Sequence, residues 1–169
     1  MLKIHDLMRA GSVKRFHIVN TTRIQSLADH QYGVAVLAGE LSKRLGLNVA
    51  AQARVVASAI VHDAGEARSG DIPTPAKKKL RRAFGEKFDE LLAEYDVLMT
   101  MHDQDKLIIK CADYLESMIF LQEHTVGRHA ETVLEDIIKN AFEFFDNCDA
   151  VGTAAYTIWY DILRAEYEI

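Results

Sequence analysis

The residues best suited to do chemistry are His62 and Asp63, adjacent at the end of the apolar run AQARVVASAIVHD. An ionised carboxylate beside an imidazole is costly on a helix whose other residues belong in a core. Such a pair is normally hydrogen-bonded, neutralised or coordinated to metal. Two further donors of compatible type lie elsewhere in the chain: His30, at the start of a helical stretch, and Asp113, within KLIIKCADYL. Imidazole nitrogens and carboxylate oxygens in one set suit zinc, cobalt, manganese or iron rather than a soft thiolate site. A cation held by such a set with positions to spare for water and substrate is catalytic, whereas a closed shell is structural. Taken singly, each residue has an ordinary reading. His30 can be a polar residue at a helix start, Asp113 a surface carboxylate paired with Lys110, and His62-Asp63 a hydrogen-bonded pair at a helix end.

The elements that must position these groups are helical. Val34, Leu37, Ala38, Leu41 and Leu45 recur at three- and four-residue intervals and predict a helix over 30–45, which Gly46 ends. The most apolar stretch, 48–66, predicts a central helix that stops at Ser69-Gly70-Asp71. Pro73 and Pro75 then predict a loop. Long helices are further expected near 86–101, 105–124, 129–146 and 151–167, with short helical stretches at 2–10 and 77–85, and no period-2 strand is expected. The fold class is therefore all-α, a bundle of six or seven helices forming one domain over 1–169. The Phe142–Phe145 stripe and Trp159 read as core or as a subunit contact. His5, His17, His102, His124 and His129 have no spacing that argues for ligation.

Composition narrows the function classes. With 169 residues, 49% of them apolar, the chain can bury one core. Its net charge of −5 gives no support to a broad nucleic-acid-binding face. An anionic substrate would need a local basic patch, and Lys77, Lys78, Lys79, Arg81 and Arg82 supply one beside the proline segment. Cys111 and Cys148 form no closely spaced motif and read as reduced thiols. No signal peptide or membrane span is evident, so a cytoplasmic protein without membrane or nucleic-acid-polymer partners is expected.

The segment VVASAIVHDAGEARSGDIPTPAK resembles the signature of HD-domain metal-dependent phosphohydrolases. More narrowly, KRF near residue 15, ADHQYGVAVLA around His30, HDAGE, GDIPTPAK and KCADYLE follow the order found in two groups. These are the YfbR-like 5′-deoxynucleotidases and the short phage dATP triphosphohydrolases of the DatZ type. The resemblance implies an HD-domain helical bundle with His30, His62, Asp63 and Asp113 as the ligands of one catalytic divalent ion: cobalt, zinc or manganese. It leaves room for a further ion bound with a triphosphate. Glu66 matches the family's acid/base glutamate. Asp71 matches an aspartate that meets the deoxyribose or the attacking water. Arg15, Lys77 and Lys110 match phosphate-binding positions. Phe16 stands where these enzymes tend to have tryptophan, and it can stack on a base less extensively. Ile18 and Pro75 correspond to apolar residues of the adenine pocket.

What this implies is water attack on the α-phosphorus of a deoxynucleotide, with the 5′-oxygen leaving. The basic stretch favours a triphosphate tail, hence dATP as substrate and deoxyadenosine and triphosphate as products, with dADP and dAMP as further substrates. The alternative is a YfbR-like nucleotidase acting on deoxynucleoside monophosphates. A non-catalytic HD nucleotide-binding module is a third reading, which the full set of matched residues disfavours. Short HD proteins commonly assemble, so a homo-oligomer, dimer or hexamer, is expected, residing in the host cytoplasm if phage-encoded.

Overall fold

The periodic apolar positions form helices in the computed structural model, which describes residues 4–88 and 101–167. A short turn, α1 (Ile4–Leu7), runs into a 3-10 turn at Met8–Ser12. Two-residue strands β1 (Lys14–Arg15) and β2 (Gln25–Ser26) pair antiparallel, with Arg15 opposite Gln25. Helix α2 (Leu27–Arg44) follows at once. Its first turn is closed by a capping box, in which the Ser26 hydroxyl accepts from the Asp29 amide and the Asp29 carboxylate accepts from the Ser26 amide. Helix α3 (Val49–Val61) begins under the Asn48 side chain, which accepts from the Ala51 amide. Then come α4 (Glu66–Ser69), α5 (Thr74–Phe84), α6 (Asp103–His124), α7 (Arg128–Phe145) and α8 (Asp149–Tyr167).

Six of these helices have eleven residues or more, in keeping with the expected all-α bundle. The differences from the sequence reading are local. The ladder β1–β2 was not expected, because two residues per strand leave no alternation to detect. His30 is the fourth residue of α2 rather than its first, because the Ser26 cap starts the helix earlier. The expected central helix divides. α3 ends at Val61, and tight backbone bonds three residues apart (Ala64 N to Val61 O, Glu66 N to Asp63 O) lead into α4. Helix α5 begins at Thr74 instead of Lys77, since Pro75 lies in its first turn, where a missing N–H costs nothing. Of the helix expected over 86–101, residues 86–88 are helical and 89–100 lie outside the described residues.

Helix α6 is the axle. It packs against α2, α3, α7 and α8. The core gathers Val34, Ala38 and Leu41 from α2, Val55 and Ala59 from α3, and Ile108, Leu115 and Met118 from α6. Phe145 of α7 and Ile158 and Trp159 of α8 complete it, so the aromatic stripe and the tryptophan are core residues. One polar strut crosses this packing. Asp105, buried at the first turn of α6, accepts from Arg54 Nε (2.7 Å) and Nη2 (3.0 Å) on α3, and from the His102 amide (3.2 Å). Among the described residues, no helix is long and apolar enough to cross a membrane.

Candidate active site

Three elements that meet at one end of the core bring the chemically capable residues together. His30 comes from the second turn of α2, His62 and Asp63 from the turn that ends α3, and Asp113 from the middle of α6. Each is placed by its neighbours in sequence. Val34 and Ala35 bury α2, Ala59 buries the last turn of α3, and Ala112 and Leu115 bury α6 on either side of Asp113.

His30 Nε2 lies 3.4 Å from Asp113 Oδ1 and 3.7 Å from Asp63 Oδ2, and His62 Nε2 lies 3.1 Å from the same Asp63 oxygen. The two imidazoles are tilted against each other with centroids 5.3 Å apart. One donor atom each from His30, His62 and Asp113 falls within 4.8 Å of the others, so these three could hold a metal ion, and Asp63 touches both rings. The decisive detail is that both Nε2 atoms are buried and have no hydrogen-bond partner, their carboxylate contacts being too long or too oblique. A buried polar atom without a partner is rare and costly. Here two of them point into one acidic cluster, a donor set whose chemistry fits a divalent cation. The remaining ring nitrogens are fixed. His62 Nδ1 lies 2.8 Å from the Ala59 carbonyl, and His30 Nδ1 lies 2.5 Å from Glu116 Oε2. Both arrangements turn Nε2 toward the cluster.

The electrostatics favour positive charge at this point. Burial and Arg15 work against a protonated His30. Asp113, Asp63 and Glu116 outweigh them and lift its pKa to about 10. Burial likewise opposes a charged His62, and Asp63 overcomes it to raise the value. Burial penalises the Asp63 and Asp113 carboxylates. Even so, the imidazoles hold Asp63, and Lys110 with His30 holds Asp113, well below the usual carboxylate range. Glu66 is the opposite case. Burial, then the Asp63 and Asp71 charges, push its carboxyl up to about 7, against the pull of Lys77 and Arg15. A carboxyl with that value suits proton transfer near neutral pH. Its Oε2 is buried without a hydrogen-bond partner, and its Oε1 lies 3.6 Å from Lys77 Nζ.

Cations ring the cluster. Arg15 Nη1 is 3.5 Å from Asp63 Oδ2 and Lys110 Nζ is 2.6 Å from Asp113 Oδ2. Lys77 closes the side near Glu66 from the first turns of α5. Phe16 has a left-handed backbone (φ 51°), an uncommon state for a residue with a side chain. Its ring stacks on Phe120 with centroids 5.7 Å apart and planes within 6°. Asp71 and Pro73 sit half-buried between α4 and α5, whereas Ile18 and Pro75 are exposed. Arg15, His30, His62, Asp63, Glu66, Asp71, Lys77, Lys110 and Asp113 are thus linked to one cluster, whereas no hydrogen bond or ion pair among the described residues ties Ile18 or Pro75 to it.

Sequence reasoning passed over three participants. Glu116 accepts from His30, Gln25 Nε2 donates to Glu116 Oε1 at 2.5 Å, and Arg15 Nη2 donates to Ser117 at 3.4 Å. The signal for Glu116 was its place one helical turn after Asp113, on the same face of α6. Nothing in the sequence pointed to Gln25, whose approach depends on the β1–β2 ladder.

Comparison with known proteins identifies the family and the fold. A family model described as HD domain matches residues 9–95. The dATP triphosphohydrolase of Salmonella phage PMBT28 is 33% identical over 168 residues, spanning 93% of this chain and 86% of that protein. The 5′-deoxynucleotidase YfbR of Escherichia coli O1:K1 is 26% identical over 150 residues, spanning 76% of this chain and 75% of that protein. Among solved structures, the Cyanophage S-2L HD phosphohydrolase DatZ, bound to dA and one catalytic Zn2+ ion, matches with a TM-score of 0.81. The match covers 98% of each chain at 23% identity, a likeness of fold.

Proposed function

The chain belongs to the HD-domain family of phosphohydrolases, and from that premise we propose that it hydrolyses dATP to deoxyadenosine and triphosphate. The observation that carries the reading is the pair of buried, unpartnered Nε2 atoms of His30 and His62, facing Asp63 and Asp113 beneath a ring of cations. His30, His62, Asp63 and Asp113 would hold one divalent ion (cobalt, zinc or manganese), and a second could arrive with the triphosphate. When bound, such an ion acts as a Lewis acid and makes a coordinated water acidic.

The protein's own groups would do the rest. Glu66, poised near neutrality, takes a proton from the attacking water or returns one to the departing 5′-oxygen. Arg15, Lys77 and Lys110 meet charge that grows on the phosphate oxygens, with Lys77 at the start of α5 also meeting the β,γ tail, an electrostatic effect worth several kcal/mol when the donors are fixed in advance. Asp71 orients the deoxyribose. Phe16, braced on Phe120, offers an aromatic face to the base, with Ile18 and Pro75 as apolar flanks. Helix α5 carries Lys78, Lys79, Arg81 and Arg82 onward from Lys77, so a β,γ-phosphate tail leaving the site would run along a cationic helix. This basic run in the sequence supports the triphosphate over the monophosphate.

The test is a panel of metal-stripped protein restored with cobalt, zinc, manganese or magnesium and offered all four dNTPs, their monophosphates and ATP. Products are resolved by chromatography. Deoxyadenosine and intact triphosphate from dATP are expected. Inorganic phosphate released from dAMP, with dATP untouched, would replace this reading with that of a 5′-nucleotidase. No turnover of any member would remove the catalytic reading.

A further inference from the structure

Glu116 spends both of its oxygens on the approach to the candidate ion site. Its Oε2 accepts from His30 Nδ1 and its Oε1 accepts from Gln25 Nε2, each at 2.5 Å. All three residues are buried. A carboxylate can only accept, so the proton of that short contact belongs to Nδ1. An imidazole that ligates an ion is neutral and carries one N–H, and its assignment to Nδ1 leaves Nε2, which faces Asp113, Asp63 and His62, to offer its lone pair to the ion.

A second feature makes room for this contact. Gly33 lies one turn after His30 on α2, and a Cβ at that position would stand 2.7 Å from Glu116 Cγ and 3.3 Å from Oε1. The missing side chain lets Glu116 lie along α2 and reach the back of the ring. Gln25 is brought to the other oxygen by the β1–β2 ladder, immediately before α2 begins. Three elements therefore converge on one carboxylate behind one imidazole.

We propose that Glu116 is a positioning residue that fixes the orientation and tautomer of His30, with Gln25 bracing it and Gly33 supplying its space. The inference rests on the ion proposed above. A carboxylate behind a ligating imidazole raises the basicity of the ligand and locks its ring, and loss of such a partner typically weakens metal binding 10- to 100-fold.

Cobalt affinity is to be measured by chelator competition on wild type, Glu116→Gln, Glu116→Ala and Gly33→Ala. The zinc-loaded wild type and Glu116→Gln are to be examined by proton and nitrogen NMR of the imidazoles. The expected results are roughly 10- to 100-fold weaker cobalt binding in Glu116→Ala and Gly33→Ala, and a smaller loss in Glu116→Gln, whose amide oxygen can still accept. The zinc-loaded wild type should show a downfield His30 Nδ1–H that moves upfield in Glu116→Gln. Cobalt binding by the wild type that is unchanged in all the variants would overturn the inference and leave the ion site standing. Absence of cobalt binding by the wild type would overturn the site itself, and the inference with it. Should Glu116→Ala fail to fold, the Glu116→Gln affinity and the NMR signal decide: a His30 ring protonated at Nε2 in the zinc-loaded protein contradicts the proposal.

Discussion

At the scale of single residues, the central feature is a set of charges that make sense only together. Asp63 sits at the hub, within 3.1 Å of His62 Nε2, 3.7 Å of His30 Nε2 and 3.5 Å of Arg15 Nη1. Asp63→Ala is expected to abolish dATP turnover, a loss beyond the roughly 100-fold caused by removing an outer partner of a ligand. Turnover within a few-fold of wild type would reject Asp63 as a ligand. Lys77 differs in kind, because it belongs to the basic helix rather than to the hub. A lost charge-assisted contact is worth about 1.5–3 kcal/mol, or roughly ten- to hundredfold. Lys77→Ala should therefore lower kcat/KM for dATP by about tenfold or more beyond its effect on dAMP. Equal losses on the two substrates would remove the case for a phosphate tail along α5. The histidines and aspartates of the hub were legible in the sequence, because imidazole and carboxylate at the end of an apolar run violate the rule for core helices. Glu116 offered only its place one turn after Asp113, and Gln25 offered nothing, since a Gln in a two-residue strand breaks no rule.

At the scale of elements, the site depends on how α3 and α6 are held beside α2. The Arg54–Asp105 strut ties the outer part of α3 to the first turn of α6, eight residues before Asp113. Arg54 holds the Asp105 carboxyl below its ordinary value, outweighing burial, with help from the His102 amide. A depressed carboxyl contributes stability that is present in full above the unfolded-state pKa, near 4, and is lost as pH falls through the lower folded value. Asp105→Asn should cost about 1–2 kcal/mol at neutral pH. The gap between wild type and variant should shrink below about pH 4. Denaturation curves at pH 7 and pH 3 check this, and a gap that is constant across the range would contradict it. Periodicity revealed the long helices to within a few residues, since their apolar stripes are set by burial. The break between α3 and α4 was hidden, because the turn is made by short-range backbone bonds and a His62 contact to the Ala59 carbonyl, with no proline or capping side chain to mark it. The early start of α5 was hidden for a related reason: a proline that ends one helix is also a permitted first-turn residue of the next.

At the scale of the whole molecule, gathering several acidic groups in one buried place is a cost that the fold must offset. Carboxylates of Asp63, Asp113 and Glu116 surround one buried imidazole, and the protonated ring offsets their repulsion. A divalent ion would replace that proton and bind only the folded chain, because the four donors come from α2, the α3–α4 turn and α6. Binding at a hundred times the dissociation constant adds about 2.7 kcal/mol to stability. For a domain of this size, each kcal/mol moves Tm by about 2–4 °C. Cobalt or zinc should thus raise Tm by roughly 5–10 °C, and EDTA should reverse the change. The same ions should leave Asp63→Ala unmoved; an equal rise in that variant would place the ion elsewhere.

The most direct test is the anomalous difference map of a crystal grown with cobalt. The expected result is a single strong peak about 2.0–2.2 Å from the Nε2 atoms of His30 and His62 and from oxygens of Asp63 and Asp113. The contradicting result is well-ordered density for those four side chains with no peak among them.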